Sequence, residues 1–210
     1  MGPEAIFRDR VDAGRSLAAL LGAYRDAPGT VVLGVPRGGV IVAAEAAREL
    51  GLPLDVLVVR KIGHPGNPEY AVAAVDAAGH VLRGREPVSE AYLEAEARAG
   101  QAEALRRERV YRGDAPPLDL AGRTALIVDD GVATGLTLRS AVDSARAHGA
   151  ARVIVAVPVA SREAARLLTE AADDFVAVDV PDFFQAVGTF YSVFGQTSDA
   201  EVVEALRARG

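Results

Sequence analysis

The stretch ALIVDDGVATGLT, residues 125–137, decides the fold. Residues 125–128 are apolar and mostly branched, the signature of a strand buried on both faces of a parallel sheet. The strand runs directly into two adjacent carboxylates, Asp129 and Asp130. A short loop of small residues follows, with hydroxyls at Thr134 and Thr137. The next segment, LTLRSAVDSARAHGA, has helical spacing, with Leu138, Ala141, Val142 and Ala145 on one face and Gly149 as its stop. Strand, anion loop and helix N-terminus thus follow one another without interruption.

Backbone N–H groups of residues 132–137, the two threonine hydroxyls and the positive end of the helix dipole converge on one spot, which suits a dianionic phosphate. The paired aspartates repel such a group and suit neighbouring hydroxyls instead. A ribose diol whose 5′-phosphate lies in the loop, with a metal ion nearby, satisfies both halves. The other reading of these residues is a receiver-like or Rossmann-type strand end with acids at its tip.

The stretch resembles the phosphoribosyl pyrophosphate (PRPP) motif of the type I phosphoribosyltransferases: an apolar strand, two acids, small and apolar positions, then Thr-Gly-x-Thr. One position departs, because Gly131 stands where the family usually carries an apolar residue, and a looser loop is expected there. The resemblance implies that Asp129 and Asp130 hold the diol and that Ala133, Thr134, Gly135, Leu136 and Thr137 hold the 5′-phosphate. It also implies Mg²⁺ as cofactor, held through PRPP oxygens with Asp129 or Asp130 nearby.

TVVLGVPRGGV, residues 30–40, repeats the logic: an apolar strand, a turn at Pro36-Arg37-Gly38-Gly39, then a helix ended by Gly51. Taken alone it reads equally as an ordinary strand-to-helix turn. It is similar to the family's pyrophosphate loop, in which a peptide that is often cis without proline turns N–H groups toward the leaving group. The two strands are expected as neighbours at the switch point of a 3-2-1-4-5 sheet, where ligands bind.

LDVLVVRKIGHPGNPEY, residues 54–70, is expected to hold a third buried strand ending in Arg60-Lys61. Lys61 is the chain's single lysine. At a strand end it either snorkels or meets a phosphate, and the resemblance implies a pyrophosphate contact shared with Pro36, Arg37, Gly38 and Gly39. His64 reads as a loop residue. Residues 71–83 alternate around Asp76-Ala77-Ala78-Gly79, a hairpin signal. A charged helix follows over 89–113, where Gly100 is expected as a break. In the family this interval carries a mobile ribbon that closes over the reaction centre.

Residues 7–26 read as an amphipathic helix burying Val11, Leu17, Leu20 and Leu21, with packing as its main role. Beyond the central motif come a strand over 151–160, a helix over 161–172, a last strand in DFVAVDV, and a closing helix with the capping box Ser198 and Glu201. Between them PDFFQAVGTFYSVFGQ gathers Phe183, Phe184, Phe190, Tyr191 and Phe194. This segment either fills a small core or, as in the hood of 6-oxopurine transferases that it resembles, stacks on a base. Phe184 is the expected platform, with Phe183 and Val187 beside it. Those purine enzymes carry an acid where this chain has Ala133, and an aspartate where it has Ser192, so hypoxanthine and guanine are expected to be poor acceptors.

With 210 residues, half of them apolar, the chain suffices for one domain with a modest subdomain. The expected plan is a single domain over 1–210: a core of 27–60 and 114–180, a ribbon and helix of 61–113, and a hood of 181–210. The fold class is α/β, an open, mostly parallel twisted sheet of Rossmann-like type. There is no cysteine, so neither disulfides nor thiolate metal sites arise. The net charge of −6 and dispersed arginines argue against nucleic acid. No apolar run is long enough for a membrane span and MGPEAIFRDR has no signal-peptide core, so the cytoplasm is expected. A homodimer is left open.

The expected activity is Mg²⁺-dependent transfer of the phosphoribosyl group from PRPP to a planar base or other nucleophile, with release of pyrophosphate. The alternative is a PRPP- or nucleotide-sensing regulatory protein with the same pocket.

Overall fold

A computed structural model describes residues 5–84 and 86–208. Expectations for residues 1–4, 85 and 209–210, including the end of the hood, lie outside the described residues.

The first helix, α1 (Arg10–Leu20), starts at Asp9, whose carboxylate accepts the Asp12 N–H. It is shorter than residues 7–26, and its buried face is Ala13, Gly14, Leu17 and Ala18, while Leu20 is 54% exposed. The reason is close packing on the next helix: a Cβ on Gly14 would lie 2.8 Å from the Val42 carbonyl oxygen, so the small side of α1 faces inward. Phe7, outside the helix, bridges to Tyr191.

Strand β1 (Thr30–Gly34) leads into α2 (Gly38–Leu50), and β2 (Leu54–Val56) returns beside β1. The chain then leaves this sheet. Strands β3 (Val59–His64), β4 (Asn67–Asp76) and β5 (Val81–Arg83) form a separate antiparallel sheet of three strands. Helix α3 (Glu90–Arg112) covers it. The core resumes with β6 (Thr124–Val128), α4 (Leu136–Ala147), β7 (Arg152–Val159), α5 (Arg162–Ala171) and β8 (Asp174–Asp179), and α6 (Asp199–Arg207) closes it.

The large sheet is wholly parallel in the order β2-β1-β6-β7-β8. Counting only its own strands the order is 2-1-3-4-5, which corrects the expected 3-2-1-4-5. The neighbours at the switch point are nonetheless those expected. Alternate residues of one strand serve opposite cores: Ala125 and Ile127 of β6 pack with Leu138, Ala141 and Val142 of α4, while Leu126 and Val128 pack with α1 and α2. Both faces being covered, the strands have no polar side, and this is why the sequence reads as unbroken apolar runs.

The segment 54–59 is not one strand. Its second half starts β3, and Arg60 and Lys61 face Val75 and Ala74 of β4 in register. Ile62 of β3 belongs to a small core with Val72, Ala73, Val75 and Leu93, so past Val59 the strand serves a separate core beneath α3. Gly100 does not break α3. A Cβ there would meet Val75 Cγ1 at 2.7 Å, so glycine lets the helix lie directly on β4. The β4–β5 hairpin and the Ser198–Glu201 capping box are present as expected.

Candidate functional site

Strands β1 and β6 run in register to Gly34 and Val128, and the Val35 N–H donates to the Val128 carbonyl. Both following loops therefore leave the sheet at one level. The Pro36–Arg37 peptide is cis. Gly38 and Gly39 then begin α2, packed onto the acidic pair. A Cβ on Gly39 would stand 2.6 Å from Asp129 Oδ1 and 2.8 Å from Asp129 Cα. A Cβ on Gly38 would overlap Asp130 Oδ2 and come 2.6 Å from Arg10 Nε. The two glycines are thus a steric requirement for bringing the loops together.

The second loop is held from below. The Val132 N–H donates to Val159, Ser161 donates its N–H to the Val132 carbonyl, and the Ser161 hydroxyl donates to the Ala133 carbonyl. Ala133 and Thr134 are exposed, and Leu136 and Thr137 are half-buried. Gly135, with φ +87°, is the N-cap of α4 and no side chain caps the helix. The first N–H groups of α4 are therefore left for an outside acceptor, as an anion site needs. Gly131 does not loosen the loop. At φ +156° its missing side chain leaves space taken by Val187 Cγ1, 2.5 Å from where a Cβ would be, and by Val159.

Electrostatics centre on the aspartates. Burial, and next the charge of Asp130, push the Asp129 carboxyl well above its usual range. The Asp130 N–H donates to Asp129 Oδ1 at 2.8 Å. Arg10, from the start of α1, donates from Nε to Asp130 Oδ2 at 2.9 Å and from Nη1 to the Gly195 carbonyl at 2.7 Å. Its guanidinium carbon lies 4.1 Å from the Phe194 ring centroid. Tyr191 donates its hydroxyl to the Asp130 carbonyl at 2.5 Å, and its own ionisation is pushed up by burial and by Asp130. Arg10 and Tyr191 were missed by sequence reasoning. No local pattern marks them, since each reaches Asp130 only because residues 6–8 pair with residues 190–193.

The remaining candidates are not part of the Arg10–Asp130–Tyr191 hydrogen-bond network. Arg37 is exposed in its loop, and Lys61 is exposed on the antiparallel sheet. Phe184 is half-buried with its ring 5.4 Å from that of Phe190, whereas Phe183 is 65% exposed. His64 is not a loop residue but the last residue of β3, and it accepts the Gly66 N–H on Nδ1. Among the described residues no helix is long and apolar enough to cross a membrane.

The arrangement can hold an anion at each of two loops and a polyol or cation between them. Comparison with known proteins bears on the family. A protein of Mycobacterium tuberculosis (strain H37Rv) that bears the provisional name of phosphoribosyl transferase is 45% identical over 207 residues, 96% of this chain. The same holds for its counterpart in strain CDC 1551, and the chain spans 46% of the length of these relatives. The crystal structure of TT1426 from Thermus thermophilus is 43% identical, with a TM-score of 0.84 over 97% of this chain and 98% of that one. The profile of the phosphoribosyl transferase domain matches residues 9–192, and the chain belongs to that family.

Proposed function

We propose that the chain binds PRPP with Mg²⁺ and transfers its phosphoribosyl group to a planar nitrogen base or another small nucleophile. The observation that carries this reading is the convergence of two glycine loops on one diacid, with Gly38 against Asp130 and Gly39 against Asp129. The uncapped start of α4 receives the 5′-phosphate through Ala133, Thr134, Gly135, Leu136 and Thr137. Asp129 and Asp130 accept hydrogen bonds from the ribose hydroxyls. Pro36, Arg37, Gly38, Gly39 and Lys61 surround the leaving pyrophosphate, with Lys61 brought over on the antiparallel sheet.

The residues present fit a divalent cation, since Arg10 supplies one positive charge against two carboxylates, one of which is already hard to ionise. Asp129 or Asp130 lies closest to where Mg²⁺ on PRPP oxygens would stand, and when bound the ion offsets charge on the pyrophosphate. In the reaction the C1–oxygen bond to pyrophosphate breaks, the nucleophile bonds to C1, and the nucleophile's proton is lost. The developing charge is positive on the sugar and negative on the leaving group, so orientation and electrostatics dominate over a protein nucleophile. Phe184 is the stacking platform for the acceptor, flanked by Phe183 and Val187. Ala133, exposed where 6-oxopurine enzymes place an acid, cannot take a proton from the acceptor ring. Hypoxanthine and guanine are therefore poor acceptors.

Calorimetry with PRPP, with and without Mg²⁺, on the wild type and Asp130→Asn tests the donor site. Metal-dependent binding lost in the variant is expected, and equal binding by both proteins sinks the reading. Pyrophosphate release across adenine, hypoxanthine, guanine, xanthine, uracil and orotate tests the transfer. Tight PRPP binding with no release for any nucleophile would mark a sensor instead.

A further inference from the structure

Two of the three histidines meet a buried carboxylate far along the chain from the acidic pair. Asp76 ends β4 and is only 2% exposed. It accepts the His80 backbone N–H at 2.8 Å, the His80 Nδ1–H at 2.8 Å and the Ser144 hydroxyl at 2.5 Å. None of these donors is a permanent cation. A buried carboxylate is ordinarily paired with a charge or bound to a metal, because neutral donors replace only part of its hydration.

His148, the C-cap of α4, supplies the third group. Its Nδ1 lies 2.8 Å from the Ser144 carbonyl oxygen. A carbonyl can only accept, so Nδ1 carries a proton, which in the neutral ring leaves the Nε2 lone pair for a ligand. This is how metal-binding histidines are commonly held, with the far nitrogen donating to a carbonyl. One donor atom each from Asp76, His80 and His148 can be chosen so that all lie within 4.8 Å of one another. Beside them is a cavity of about 10 Å³ lined in part by Asp76, Glu108, Ser144 and His148. That is space for one water as an additional ligand.

We propose that Asp76, His80 and His148 bind one transition-metal dication of the zinc class. Two imidazoles and one carboxylate are a donor set for such an ion, whereas Mg²⁺ takes oxygen ligands. The ion takes the place of the proton between His80 Nδ1 and Asp76 Oδ2, and His80 adopts its other tautomer. His80 is half exposed and moves to close the site. The bound ion ties the β4–β5 turn to the far end of α4, the helix whose first turn forms the phosphate loop.

The test is titration of the metal-free chain with Zn²⁺ by calorimetry and with Co²⁺ by visible absorption. His80→Gln and His148→Gln are the variants, since both side chains reach solvent and spare the core, and His64→Gln is the control. The expected result is one equivalent of Zn²⁺, a Co²⁺ spectrum of low coordination number, and at least tenfold weaker binding in each of the two variants. Binding is expected to be unchanged in His64→Gln and in excess Mg²⁺, with metal-free melting curves confirming that the variants fold. Wild-type binding no tighter than that of the double variant, or equal weakening by His64→Gln, would overturn the proposal.

Discussion

At the carboxyl ends of β1 and β6 the site is made of backbone and glycine, fixed by strands paired in register; above it the cover is made of charged and aromatic side chains drawn from both ends of the chain. The first region is close-packed and has little freedom to adapt. The second is a set of side-chain contacts around Arg10, Tyr191 and Phe194. On the proposed reading, anion binding belongs to the backbone-built region and acceptor choice to the side-chain cover.

The largest effect is expected from Gly39→Ala. The added methyl would meet Asp129 Cα at 2.8 Å and the Val128 carbonyl oxygen at 3.0 Å, and both are backbone. Overpacking of this kind costs about 1–3 kcal/mol, and the loops would separate as well. Thermal melts should show the loss and calorimetry should show no PRPP binding. A variant as stable and as tight as the wild type would break the claim that this region is rigid. Lys61→Ala comes next, with pyrophosphate affinity reduced by roughly 1.5–3 kcal/mol and ribose 5-phosphate affinity little changed. Loss of both ligands alike would move Lys61 away from the leaving group.

Asp129 supplies a prediction of opposite sign. Its carboxyl is raised above the ordinary value of 3.8, by burial first and by Asp130 second, so the folded state favours its protonated form. That preference stabilises the protein below the unfolded value and is lost as pH rises through the folded one. At neutral pH the charged pair is a net cost. Asp129→Asn should melt higher than wild type at pH 7.5, by a gain on the order of 1 kcal/mol or 2–4 °C, while PRPP binding is lost. At pH values below the ordinary carboxyl value the gain should vanish. A variant less stable at neutral pH would show that Arg10 and the loop N–H groups already compensate the pair.

The last comparison separates the two phenylalanines, with the smallest effect expected from Phe183. Phe184→Ala should weaken the acceptor by ~1–3 kcal/mol. Because its ring meets Phe190, it should also lower the melting temperature, whereas Phe183→Ala should leave stability intact. If Phe184→Ala destabilised the protein but kept full acceptor affinity, the ring would be core filling only.

The contrast between the regions also governs what could be read in the sequence. The strand-loop-helix of 125–137 is contiguous, so its periodicity, its acids and its glycine are all local signals. The pairing of Arg10 with Asp130 spans 120 positions and depends on where the chain ends meet. The split of 54–59 was hidden because its apolar residues serve three cores, Leu54 one, Val56 and Val58 a second, Leu57 and Val59 a third, and periodicity does not say which core a residue faces. Gly100 misled for a related reason. A glycine in a helix signals either weakness or close approach, and only Val75 opposite it distinguishes the two.

Val187 lends its methyl groups to the space that Gly131 leaves in the donor loop. On the proposed reading, the segment that carries the acceptor platform is thereby also a wall of the donor loop. An acceptor that shifted residues 183–187 would then change the packing under the donor, and a bound donor would in turn fix the acceptor wall. Linkage then makes the two affinities reciprocal: whatever factor PRPP adds to acceptor binding, the acceptor adds to PRPP. The valine is thus a point through which a donor and an acceptor held on either side of it would measure each other.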